Sequence, residues 1–169
     1  MALMTQTDWQ RAGDPEMCWR LTMADPPATF AVCRHAAGWM KMFRLFVWSC
    51  GSTGQLEFLE AVDELRLWEP HAAMARGIYD RHVSGGRDGG RKQIAFSGPV
   101  HAALADAFAA GPPPDRAAIF ATAYRQVVDR INEGCYRDFL LMAEGVRSTA
   151  RAHDHGRALA SLGAPGPAG

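Results

Sequence analysis

Apolar residues recur along most of this chain at spacings of three and four, the period of a helix with one buried face. Thr29 to His35 predicts a short helix stopped near Gly38. Trp39 to Ser49 is strongly apolar, with Phe43, Phe46 and Val47 on one face. Thr53 to Leu67 carries Leu56, Leu59 and Val62, flanked by Phe58 and Leu65, and Pro70 to Val83 carries Met74, Ile78 and Val83 beside Tyr79. The segment SGGRDGGRKQ that follows is too rich in glycine for regular structure. Ser97 reads as an N-cap with Pro99 in the first turn, opening a helix through Val100, Leu104, Ala107 and Phe108. GPPP at 111–114 ends it, and Asp115 caps a longer helix with Ile119, Ala123, Val127 and Ile131 on one stripe. Gly134 interrupts, and Cys135 to Val146 forms a further short helix. No segment keeps the apolar–polar alternation of a strand, so the chain is expected to be all-α. Residues 1–28, broken by Pro15, Pro26 and Pro27, form an N-terminal extension, and 29–146 the helical domain. The Ala/Gly/Pro-rich tail 147–169 is expected to be partly disordered.

At 169 residues and 48% hydrophobic content, one domain with a real core is expected. Basic and acidic residues balance at 18 each, which argues against nucleic acid as a partner and against membrane binding through bulk charge. The lysines are Lys41 and Lys92, and the remaining basic residues are arginines, a compositional bias with no functional reading. Cys18, Cys33, Cys50 and Cys135 form no CxxC pair, and each lies among apolar residues, as buried free thiols in a reducing compartment do. The amino terminus lacks a basic start and an apolar core, and no run of about 18 apolar residues occurs. The expected location is the cytoplasm, with no transmembrane segment.

Enzyme chemistry finds no foothold in the pattern. The six histidines include no Glu-x-x-His, so a di-iron bundle is not expected, nor is any other metal site. Gly85 to Lys92 has a phosphate-cradle composition, but Arg91 stands where a P-loop needs lysine and the preceding segment is helical. No Gly-x-Ser-x-Gly elbow is present. No catalytic residue and no cofactor is expected.

Three blocks in order resemble the regulator of G-protein signalling (RGS) domain family. FRLFVWSCGSTGQLEFLEAVDELR, from Phe43 to Arg66, resembles Phe-x-x-Phe-Leu, then Ser-x-x-Asn-Leu-x-Phe-Trp, then an acidic pair. Phe43, Phe46, Val47, Ser52, Leu56, Phe58, Asp63 and Glu64 fall in register. ARGIYDRHV at 75–83 resembles Ala-x-x-Ile-Tyr-x-x-Phe, and Gln93-Ile94 lies where the family has asparagine and an apolar residue. IFATAYRQVVDRINEGCYRDFLL, from Ile119, matches the closing segment through Phe120, Ala123, Val127, Tyr136, Phe139 and Leu140.

The resemblance covers about Thr29 to Leu141. It implies a bundle of about nine helices, an antiparallel four-helix bundle beside a smaller subdomain of terminal helices. It further implies a module that binds a heterotrimeric G-protein α subunit (Gα) in its GTP or transition-state form and accelerates GTP hydrolysis, close to the membrane only through that partner. The implied contact residues are Ser52, Gln55 and Gln93. Ser52 is the polar contact kept unchanged; Gly54-Gln55 replaces Glu-Asn, Gln93 replaces asparagine, Gly134-Cys135 replaces Asp-Ser, and Asp138 replaces arginine. An RGS-homology interaction scaffold without GTPase-activating ability is the alternative. Other readings of the same residues stand beside these: Ser52-x-x-Gln55 also spells a capping box, and Gln93 also fits a solvated loop. The aromatic residues Phe43, Phe46, Phe58, Tyr79, Phe120, Tyr136 and Phe139 are expected in the core.

Overall fold

The computed structural model describes residues 24–67, 72–84, 93–110 and 118–162, and for residues 150 and 153–162 the backbone alone. Among the described residues the chain is helical and carries no strand. The helices are α1 (Phe30–Cys33), α2 (Ala37–Ser49), α3 (Thr53–Leu67), α4 (Ala72–His82), α5 (Gly98–Ala109), α6 (Ala121–Ile131) and α7 (Arg137–Leu162). A 3₁₀ turn, Ala118–Phe120, precedes α6, and a π turn, Asn132–Tyr136, follows it. The all-α class is therefore as the hydrophobic spacing predicts. Calls on Pro70, the glycine-rich loop, GPPP, Asp115, most of the N-terminal extension and the final GAPGPAG lie outside the described residues.

The chain divides into two compact units, one of Met1–Phe46 with Tyr136–Gly169 and one of Val47–Cys135. In the first, α1 is a single turn whose N-cap Thr29 accepts the Val32 N–H at its hydroxyl. This helix ends at Cys33, and α2 starts at Ala37, so Gly38 lies inside α2 and is not a stop. The break falls earlier, where the His35 and Ala36 amides turn back onto the carbonyls of Val32 and Cys33. The core of this unit is aromatic. Phe43 meets Phe30 at 5.3 Å, Tyr136 at 5.2 Å and Phe139 at 5.4 Å between ring centroids. Phe139 also meets Phe46 and Trp39, mostly edge-on, the arrangement that ring quadrupoles favour. The backbone of α7 continues to Leu162, into the tail expected to be partly disordered. Its alanines are strong helix formers, and they outweigh the single glycines Gly145 and Gly156.

Cys33 and Tyr136 share the interior of this unit. The Tyr136 hydroxyl donates to the Pro27 carbonyl and lies within hydrogen-bond reach of the Cys33 thiol. Burial holds both groups neutral, raising the thiol above its ordinary 9.0 and the phenol above its ordinary 10.0. Both acids titrate higher in the folded than in the unfolded chain. The stability they add is complete below the unfolded values and is lost as pH rises through the folded ones. The urea midpoint is therefore expected to hold steady to about pH 9 and fall beyond it, with a shallower fall in Tyr136→Phe. Equal alkaline slopes in the two proteins would refute this assignment.

In the second unit α3 packs against α4 and α6, and α5 against the 3₁₀ turn. Leu56, Phe58, Leu59, Val62 and Leu65 are buried along α3, and Ala123, Val127 and Ile131 along α6, the stripes that the spacing predicts. Phe58 is the hub of an aromatic cluster with His82, Phe96 and Phe120, and Phe108 links Phe120 to Tyr79. Tyr79 is half-buried, stacked on Phe108 at 4.5 Å, and Phe96 is half-buried too, whereas Phe43, Phe46, Phe58, Phe120, Tyr136 and Phe139 are enclosed. The cysteines also divide: Cys33 is buried, whereas Cys50 and Cys135 are half-buried, the former at a helix end and the latter in the π turn. Cys18 lies outside the described residues. Gly134 adopts φ −107°, ψ −105° inside the π turn, which breaks the helix where the sequence predicts an interruption.

Candidate functional site

The site lies wholly in the second unit and begins with the way α2 ends. Gly51 has φ +69°, its N–H donates to the Trp48 carbonyl, and the Ser52 N–H donates to the Val47 carbonyl. These paired bonds with a left-handed glycine form a Schellman cap, which closes α2 and turns the chain at once into α3. The turn sets Ser52 and Gln55 at the amino end of α3. The reciprocal side-chain bonds of a capping box are not formed between them among the described residues; Ser52 is fixed by its backbone instead.

The second wall is the extended strap from Gln93 to Ser97, fastened at both ends. The Ile94 N–H donates to the His82 carbonyl at 2.8 Å, and the Gln93 side-chain amide donates to the Val83 carbonyl at 3.1 Å. Gln93 is exposed and lies outside any helix, and its side chain is tied to the end of α4. Further along, the Ser97 N–H donates to Gln126 Oε1 at 3.2 Å, and Arg130 Nη1 donates to the Ala95 carbonyl. Gln126 and Arg130 lie one turn apart on α6, so one helix face holds the strap at two points. Ser97 is the N-cap of α5 as predicted, but its side chain makes no cap bond.

Together these segments enclose a half-open hollow of about 240 Å³, lined by Gly51, Ser52, Gly54, Gln55, Gln93, Ile94, Ala95 and Arg130. All of the sequence-predicted contact residues, Ser52, Gln55 and Gln93, line it. Cys135 is half-buried and is not among the lining residues. Asp63 belongs to a separate group: its carboxylate accepts from the Tyr124 hydroxyl at 3.0 Å, and Arg66 lies 4.4 Å above the Tyr124 ring.

Arg130 escaped the sequence reading, since its bond to Ala95 joins positions far apart in the chain. Gly51 could have been found, as a glycine just past the last helical residue is a common C′ signal. The hollow offers one hydroxyl, two amides and one guanidinium, a set suited to recognising polar groups. Among the described residues no three His, Cys, Asp or Glu side chains gather as metal ligands would. No helix of the described residues is long and apolar enough to cross a membrane. Neither a protein-family model nor a curated protein matches the chain.

Proposed function

We propose that the chain is an RGS-type regulator whose hollow between α3 and the strap docks an activated Gα subunit and accelerates its GTP hydrolysis. One observation carries this reading. Ser52, Gln55 and Gln93, assigned to partner contact from separate sequence blocks, line a single accessible hollow. The all-helical fold and the buried register of Phe43, Phe46, Phe58, Phe120, Tyr136 and Phe139 are what the resemblance requires of the core.

The mechanism needs no catalytic group from this chain. A Gα subunit supplies its own arginine and the glutamine that orients the attacking water. A partner that binds the switch segments best in their transition-state arrangement lowers the barrier by that preference alone. A rigid surface serves this end, and both walls of the hollow are held by backbone bonds.

Single-turnover GTP hydrolysis by a panel of Gα subunits, with this protein in excess, tests the proposal. The rate constant is expected to rise to a plateau with protein concentration for at least one of them. No acceleration, together with no binding to the GDP–aluminium-fluoride form, would sink it.

A scaffold without GTPase-activating ability is the second reading, favoured by the bond that ties the Gln93 amide to Val83 and so draws it from a partner. The double substitution Gln55→Asn and Gln93→Asn separates the two. Activity that appears only in the double variant favours the scaffold reading for the natural chain.

A further inference from the structure

We propose that the hollow takes an acidic side chain of a protein partner, with the Arg130 guanidinium as its cation and Trp48 packing beside it. This rests on the reading of the hollow as a docking surface, and it adds the chemistry of what is docked.

The charge at the hollow has one sign. Its lining holds neutral Ser52, Gln55 and Gln93, no carboxylate, and Arg130. Some arginines of the described residues meet acids: Arg66 meets Asp63, Arg76 meets Asp80, and Arg147 meets Asp25 and Glu144. Arg130 instead gives one N–H to the Ala95 carbonyl, and among the described residues no carboxylate pairs with it. A guanidinium carries five donors in a rigid fork matched to a carboxylate. The bond to Ala95 also holds the side chain still, so little rotamer freedom remains to be lost on binding.

The surroundings reinforce that sign. The amino end of α3 borders the hollow with no acidic residue in its first turn, and the helix dipole adds positive potential there. This is a minor contribution beside the guanidinium.

Trp48 argues for a protein rather than a small anion. The residue is 74% exposed and does not itself line the hollow, but its backbone carbonyl accepts from Gly51, which does. Tryptophan and arginine are the residues that most often dominate interface energetics, and an indole gains nothing from a free inorganic ion.

The test uses the whole chain, isotope-labelled for nuclear magnetic resonance. The probes are the capped peptide acetyl-Leu-Glu-Glu-Leu-amide, its glutamine counterpart and inorganic phosphate. The glutamate peptide is expected to shift the Arg130 side-chain N–H, the Gln55 and Gln93 amides and the Trp48 indole N–H; the glutamine peptide should leave them in place. Arg130→Met should weaken the glutamate peptide about tenfold, the loss of one hydrogen-bonded charge. Because Arg130 also holds the strap, Arg130→Lys, which keeps the charge, should recover part of that loss. Trp48→Ala should weaken the peptide and leave phosphate unaffected. No shift with the glutamate peptide would overturn the inference. So would phosphate acting as strongly with no response at Trp48, which would mark a simple anion site.

Binding to Gα in its GDP–aluminium-fluoride form is measured in parallel. Peptide binding without Gα binding keeps the acidic-side-chain inference and removes the Gα assignment. Gα binding indifferent to Arg130→Met and Trp48→Ala does the reverse.

Discussion

Replacing Phe58 by alanine is expected to destabilise the second unit by about 3–5 kcal/mol, near the upper end for a single core substitution. The ring is fully buried, and its partners come from three different stretches of chain. His82 ends α4, Phe96 lies in the strap, and Phe120 closes the 3₁₀ turn. Side chains fixed from three directions cannot collapse into the space a phenyl ring leaves, so the cavity term stays large. The effect reaches the hollow as well. His82 supplies the carbonyl that holds Ile94, and Phe96 sits between the strap's two fastenings to α6. The partner binding proposed for the hollow should therefore weaken in Phe58→Ala even at temperatures where the chain stays folded. Urea denaturation followed by circular dichroism checks the first part; a cost under about 1 kcal/mol would contradict the central place given to this ring.

Phe139→Ala should cost a similar amount, about 3–5 kcal/mol, in the first unit. Phe139 is fully buried against the rings of Trp39, Phe43, Phe46 and Tyr136. Leu141, two residues further along α7, is 65% exposed, and Leu141→Ala should change stability by no more than about 0.5 kcal/mol. The pair makes the test internal to one helix, because propensity and chain position are nearly shared while burial is not. Similar losses for both substitutions would mean that α7 does not present the face described above. With two compact units in the chain, a single cooperative transition is not assured, so each variant should be followed by more than one spectroscopic probe.

Much of the helical skeleton was legible from spacing. The bounds of α3 agree at both ends, because Thr53–Leu67 combines a clean apolar stripe with Gly51 just before it and Pro70 just after it. Ser97 and Gly134 were legible for a related reason, as each is a residue type with a strong local preference at a helix boundary. Gly38 misled because one glycine costs a helix only about 1 kcal/mol, which packing of Trp39, Met40 and Phe43 readily offsets. In the first part of the tail the alanines carry the helix on to Leu162, a run that composition alone does not announce. Of the hollow, the side chains named through the resemblance could be found, but not the bonds that fasten them. Gln126 and Arg130 read as the polar side of an amphipathic helix. Only the folded chain shows that this side grips the backbone of a strap about thirty residues away.

The division of the chain also dictates an order of assembly. The second unit is one unbroken stretch, Val47–Cys135, whereas the first joins the beginning of the chain to residues from Tyr136 onward. On the ribosome, Phe43 and Phe46 are made well before their ring partners Tyr136 and Phe139, and these apolar side chains must wait. Every segment of the hollow will have left the exit tunnel before the aromatic core of the first unit can close, so nascent chains arrested just past Cys135 expose that core's unmatched half to chaperones.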